Sequence, residues 1–265
     1  MKPTSLLFPH VLAGSLLTGI VFTSQPVRAE YYFSVYGGSM ITHDSDVKYR
    51  DGASTDIRLD GVQWQAKPFS ESPYGGYRLG YWCDSAPNWG ISAEWIHGKM
   101  YAENENVSVS GVRNGSTVSG TEPLGNTFSE LSLTHGLNLY LLNLQYRWFL
   151  ADQESDSFCR RLQPYVGVGA GIVRPHIELT SASQSVRDYV VAGPAAQGFL
   201  GMNFDVAKHV SLFAEYKLTY ADIDADLPGG GSLRTKALSH HFTIGVTISL
   251  GGKKSRPHSR LWFTE

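Results

Sequence analysis

The sequence predicts an all-β chain: an eight-stranded antiparallel up-and-down transmembrane β-barrel with long extracellular loops and short periplasmic turns. Three observations predict it. Stretches of the chain alternate apolar and polar residues with a period of two, the connectors between them alternate between long and short, and Tyr and Trp gather near the stretch ends. Alternation alone would also suit a soluble sandwich. Aromatic belts at two levels are what a membrane adds.

The leader decides the compartment. Lys2, the apolar run from Val11 to Phe22 and Val27-Arg28-Ala29 form a signal peptide over residues 1–29. No later segment offers the ~18 consecutive apolar residues of a spanning helix, so the barrel domain, residues 30–250, is expected in the bacterial outer membrane. Composition adds little: 42% apolar and 17% charged residues, with 24 acidic against 22 basic, suit many β proteins. Nothing points to nucleic acid, and a membrane-embedded monomer is expected.

The strands fall at residues 30–41, 72–84, 89–101, 137–149, 163–179, 192–206, 210–222 and 236–250. The second carries Tyr77, Leu79 and Tyr81 on one parity, and the third Trp89, Ile91, Ala93 and Trp95. In the fourth the series is Tyr140, Leu142, Leu144, Tyr146 and Trp148; in the fifth, Val166, Val168, Ala170 and Ile172. Leu200 and Met202 follow, then Leu212, Ala214, Tyr216, Leu218 and Tyr220, and finally Phe242, Ile244, Val246 and Ile248. These runs contain no Asp, Glu, Lys or Arg, as lipid contact requires. The opposite parity holds Arg78, Glu94, Arg147, Glu215 and Lys217. An eight-stranded bore is just wide enough for side chains, so these five are expected to neutralise one another in a filled lumen.

The connectors give orientation. Residues 85–88, 150–162 and 207–209 are the short periplasmic turns, which puts the longer connectors outside. The longest, 102–134, is rich in Asn, Ser, Thr and Gly, and that makeup predicts mobility. Residues 251–265 form a basic tail with Lys253, Lys254, Arg256 and Arg260. Cys83 and Cys159 both fall on the turn side in an oxidising compartment, and a Cys83–Cys159 disulfide is expected if the 150–162 turn crosses the barrel mouth.

Polar residues without a structural role concentrate at the outer rim: His43, Asp44, Asp46, His97, Lys99, His135, Arg174, His176, Glu178, Asp222, Asp224, Arg234, Lys236, His240 and His241. Imidazole beside carboxylate offers proton transfer near neutral pH or a divalent metal site. In Arg174-Pro175-His176, a proline inside a strand marks a bulge, and rim bulges re-aim side chains. His176 and Glu178, two residues apart, would share a face.

Several segments resemble the lipid A oxidases of rhizobial outer membranes, over most of residues 30–250. They are Thr134-His135-Gly136-Leu137-Asn138-Leu139, Gln163-Pro164-Tyr165 with its glycine run, Arg174-Pro175-His176-Ile177-Glu178, Gly193-Pro194, Phe213-Ala214-Glu215-Tyr216-Lys217 and His97-Gly98-Lys99-Met100-Tyr101. The resemblance implies an oxidoreductase acting on lipopolysaccharide. With dioxygen as co-substrate, it would convert the proximal glucosamine of lipid A to 2-aminogluconate and release hydrogen peroxide. Dioxygen chemistry ordinarily calls for a metal or an organic cofactor. The chain has no nucleotide-binding or haem motif, which leaves a divalent metal held from among His43, Asp44, His97, His176 and Glu178. His176, Glu178 and His97 are the candidates for acid/base work, and Arg174, Lys99 and Lys236 for the lipid phosphates.

Two other readings stay open. A non-enzymatic barrel serving envelope integrity, adhesion or host interaction needs only its loops. A deacylase needs a nucleophile beside a base, yet Ser239 and His240, as strand neighbours, point to opposite faces.

Overall fold

A computed structural model describes residues 30–67, 73–151 and 158–250, with Thr134 and His135 described by backbone alone. The leader and the basic tail lie outside the described residues. Among those residues no helix is long and apolar enough to cross a membrane.

Fourteen strands are present, six more than expected. In chain order they are β1 (Glu30–Thr42), β2 (Ser45–Arg50), β3 (Asp56–Val62), β4 (Trp64–Gln65), β5 (Gly75–Trp82), β6 (Trp89–Ala102) and β7 (Asn106–Arg113). Then come β8 (Ser116–Pro123), β9 (Phe128–Arg147), β10 (Leu162–Ser181), β11 (Ser185–Tyr189), β12 (Gly193–Ala207), β13 (Val210–Leu227) and β14 (Gly231–Leu250). Eight of them, β1-β5-β6-β9-β10-β12-β13-β14, pair in antiparallel succession, and β1 returns to β14 with Tyr31 opposite Leu250 and Thr42 opposite Ser239. The ring is thereby closed and leaves no edge.

The six additional strands lie in the long connectors, where the two-residue period continues in Val47 and Tyr49, Ile57 and Leu59, and Val107 and Val109. The expectation of a mobile 102–134 loop is corrected accordingly, since β7 and β8 form a hairpin paired from Asn106–Pro123 to Arg113–Ser116. β2 hangs from the top of β14, and β3 and β7 follow it sideways. Above the ring this layer meets the extended upper halves of β9 and β10: the Tyr49 ring packs edge-on against Phe128 at 5.0 Å, and its hydroxyl lies 2.9 Å from Ser181 Oγ. Leu59, Leu133, Ile177, Leu179 and Ile223 are fully buried there. The result is a head at the long-connector end of the ring, with an apolar core of its own.

The strands run from barrel to head without a break, but their faces exchange roles. On β13, Leu212, Leu218 and Tyr220 face outward and are exposed while Glu215 and Lys217 are buried; above Tyr220, Asp224 and Asp226 face outward and Ile223, Ala225 and Leu227 turn in. On β14, Phe242 and Ile244 give way to Arg234 and Lys236 on the outward parity. Hydrocarbon against the outer wall explains the lower half, and water explains the upper half.

Inside the ring the charges form one network. Arg78 donates to both carboxylate oxygens of Glu215 at 2.8 Å and to Glu94 at 2.9 Å, while Lys217 donates to Glu94 at 2.6 Å and pairs with Glu215. Glu94 also accepts from Tyr36 at 2.6 Å, Asn143 at 2.9 Å and Gln197 at 2.7 Å. These groups fill the lumen, as expected of all but one. Arg147 instead pairs with Glu30 at 2.6 Å near the periplasmic end, because it lies at the foot of β9, below the level of Glu94.

The disulfide expectation is corrected: no bridge joins Cys83 to Cys159. Cys83 follows β5 and Cys159 lies just before β10, so the feet of β6 and β9 intervene and the two positions are two to three strand spacings apart, about 10–14 Å, beyond the ~7 Å that a bridge tolerates.

In the head, the β2–β3 turn is held by Asp51, whose Oδ1 accepts from the backbone N–H groups of Ala53, Ser54 and Thr55 at 2.8 to 2.9 Å. Burial raises its pKa, but the donors at Ala53 and Thr55 outweigh that and bring it from 3.8 to about 2. Because the folded value is depressed, this stabilisation is fully present above pH ~4 and is lost as pH falls towards 2. The protection of the Ser54 and Thr55 amides, measured against their intrinsic exchange rates, is expected to fall over that window, and Asp51→Asn to remove that change in protection.

Candidate functional site

The site lies where the outward faces change character. Around one side of the barrel, Tyr77 on β5, Trp95 on β6 and Tyr140 on β9 end the apolar girdle. The next outward residues upward are His97, Asn138 and Arg174. They line a groove of about 900 Å³ in the outer wall with Tyr189 of β11.

Asn138 organises it. Opposite Gly98 to Met100, β9 jumps from Leu137 to Leu133, and this bulge contains Gly136 at φ 121°. Only glycine adopts that conformation readily, and a Cβ there would collide with the Asn138 amide. Asn138 Oδ1 accepts from Trp95 Nε1 at 3.0 Å and lies 3.2 Å from His97 Nδ1; its Nδ2 donates to the carbonyls of Gly136 and Arg174. Indole N–H can only donate, so the atom facing it must be the amide oxygen, and His97 Nδ1 must then carry a proton. His97 Nε2 is buried and without a hydrogen-bond partner among the described residues.

On β10, the β9 register shifts between Pro175 and Ile177, the bulge expected from the proline. His176 Nδ1 lies 3.2 Å from Glu178 Oε1, both on the expected common face. The Tyr189 ring meets His176 at 4.5 Å and the Arg174 guanidinium at 4.9 Å. Arg174 is exposed, and no carboxylate pairs with it among the described residues. The structure therefore gathers His97, Arg174, His176 and Glu178 on one wall through Asn138 and Tyr189. Sequence reading assigned no role to those two connectors, although Asn138 stands in the Gly136-Leu137-Asn138-Leu139 segment.

The remaining candidates separate. Lys99 is 2% exposed and buried at the β6 bulge, so its expected place at a lipid phosphate is corrected. Lys236 lies on β14, opposite Asp222 and three strands around the ring from Arg174. With His43, Asp44, Asp46 and Asp224 it lines a second groove of about 780 Å³. The expected metal set is thereby split, because the β1 end that carries His43 and Asp44 is diametrically across the ring from β10 with His176 and Glu178. No group of three or more His, Cys, Asp or Glu is placed to hold a metal ion among the described residues. Ser239 turns inward to bond Thr42 at 2.8 Å, while His240 turns outward, so they form no nucleophile–base pair.

No family model matches the chain, and no curated protein does. Among solved structures it is similar to neisserial surface protein A, at 13% identity over 84% of this chain and 99% of that one, with a TM-score of 0.41. It is also similar to outer membrane protease OmpT from Escherichia coli (8% identity, 83% and 97%, TM-score 0.40) and to outer membrane protein OprG from Pseudomonas aeruginosa (14%, 84% and 95%, TM-score 0.35). The likeness is one of fold. The chain's own geometry places it: a closed antiparallel ring with an apolar outer wall is how strands cross a membrane, and this is a bacterial outer-membrane β-barrel protein.

Proposed function

We propose that the barrel binds the phosphorylated sugar headgroup of lipid A in the groove on its β6–β9–β10 wall and oxidises the proximal glucosamine there. The observation that carries the reading is the groove that Arg174 and His97 line directly above an aromatic girdle, with His176 and Glu178 beside it on β10, at the depth where a lipid headgroup would meet the wall. Arg174 would hold a phosphate. His97 Nε2, or His176 backed by Glu178, would take the proton of the anomeric hydroxyl. C1 then loses its hydrogen with an electron pair, dioxygen accepts the two electrons and both hydrogens as hydrogen peroxide, and water opens the resulting lactone to 2-aminogluconate. The two donors at His176 and Glu178 do not amount to a metal site.

That same shortage of donors favours a second reading, a non-enzymatic barrel that holds lipid headgroups and presents its head outside. Mass spectrometry of lipid A from cells with and without the gene decides between them. Oxidation adds one oxygen to the wild-type lipid, His97→Ala or His176→Ala lowers that product by about 100-fold or more, and an unchanged wild-type mass excludes the enzyme.

A further inference from the structure

A second polar arrangement lies on the lipid-facing wall, away from that groove. Tyr216 Oη is 2.6 Å from His240 Nδ1, and His240 Nε2 is 2.8 Å from His43 Nε2. The two imidazole centroids are 4.9 Å apart, so the Nε2 atoms face each other nearly head-on. Two nitrogens in such contact share one proton. The chain therefore has two orientations: Tyr216 donates to His240, or His240 donates to Tyr216 and the phenol proton is free to point into the leaflet.

Depth suggests what meets it. His240 is paired with Leu218, whereas the charged pair Asp222–Lys236 lies four residues higher on β14. At about 3.4 Å per residue and a tilt near 40°, that is roughly 10 Å below the charges. Phosphates belong at the level of Lys236; the carbonyls that join acyl chains to a headgroup belong below them. Polar side chains facing hydrocarbon are costly and mark function, and Tyr216 with Phe242 lines an apolar concavity of about 1130 Å³ on this wall.

We infer that Tyr216, backed by His240 and His43, is a hydrogen-bond donor site for the acyl-linkage carbonyl of an outer-leaflet lipid. His43, which is exposed, joins this chain of hydrogen bonds to the water outside. The site stands whether or not lipid A is oxidised at the Arg174 groove.

The test uses the full chain in dodecylphosphocholine micelles, a detergent without a carbonyl. It is titrated with 1-myristoyl lysophosphatidylcholine or with its alkyl ether analogue, which lacks the carbonyl, and read by the imidazole ¹⁵N shifts of His240. The ester is expected to bind about 2- to 10-fold more tightly than the ether, the worth of one hydrogen bond, and Tyr216→Phe to abolish the difference while Arg174→Ala leaves it intact. Equal binding of the two lipids by the wild type overturns the inference, as does a preference that survives in Tyr216→Phe. Heat-modifiable gel migration of each variant confirms that the barrel is folded.

Discussion

Replacing Glu94 by Ala is expected to destabilise the barrel by about 3–5 kcal/mol, because it removes one partner from a buried charge network. Glu94 accepts from Arg78, Lys217, Tyr36, Asn143 and Gln197. Without it, two cations share Glu215 alone and the buried Tyr36 hydroxyl loses its acceptor, while Asn143 and Gln197 keep only their bonds to Ser92 and to each other. Urea unfolding in lipid vesicles, followed by tryptophan fluorescence, measures the loss. Arg50→Ala in the head is the control: its pair with Asp56 is 58% and 64% exposed, and such pairs contribute about 0–1 kcal/mol. A Glu94 variant no weaker than the Arg50 variant would show that the lumen is wet and the network dispensable.

The second large effect concerns the outer wall. Leu142 is 72% exposed and lies on β9 between the flanking aromatics Tyr140 and Tyr146. In water, Leu142→Arg would change stability by no more than about 0.5 kcal/mol. Against hydrocarbon it should cost about 2–4 kcal/mol near the bilayer midplane. The same vesicle titration measures it, and a cost below 0.5 kcal/mol would place Leu142 in water and remove the membrane assignment.

Much of the ring was legible because strand alternation is local: the outward series Tyr140, Leu142, Leu144, Tyr146 and the inward Arg78, Glu94, Glu215 and Lys217 follow from period two alone. The head was legible in part. Val47 and Tyr49, or Ile57 and Leu59, alternate as clearly as any membrane strand, but what covers them depends on β2 meeting β14, a pairing between distant parts of the chain. Asp222 and Asp224 read as rim residues because the exchange of inner and outer faces above Tyr220 leaves the period unchanged. Lys99 was misplaced because the bulge opposite it shifts the parity, and a bulge depends on cross-strand register. Asn138 escaped assignment for a similar reason, since Trp95 and His97 reach it only across the β6–β9 seam.

The join between β2 and β14 also constrains assembly. The strand that anchors one half of the head is the last of the described strands in chain order, and the segments that must dock on it are among the first. Until β14 has zipped to both β1 and β13, Val47, Leu59 and Val109 have no finished surface to rest on, so a barrel halted one strand short would show its greasy interior to the periplasm. Completion of the wall and concealment of that interior are thus a single event.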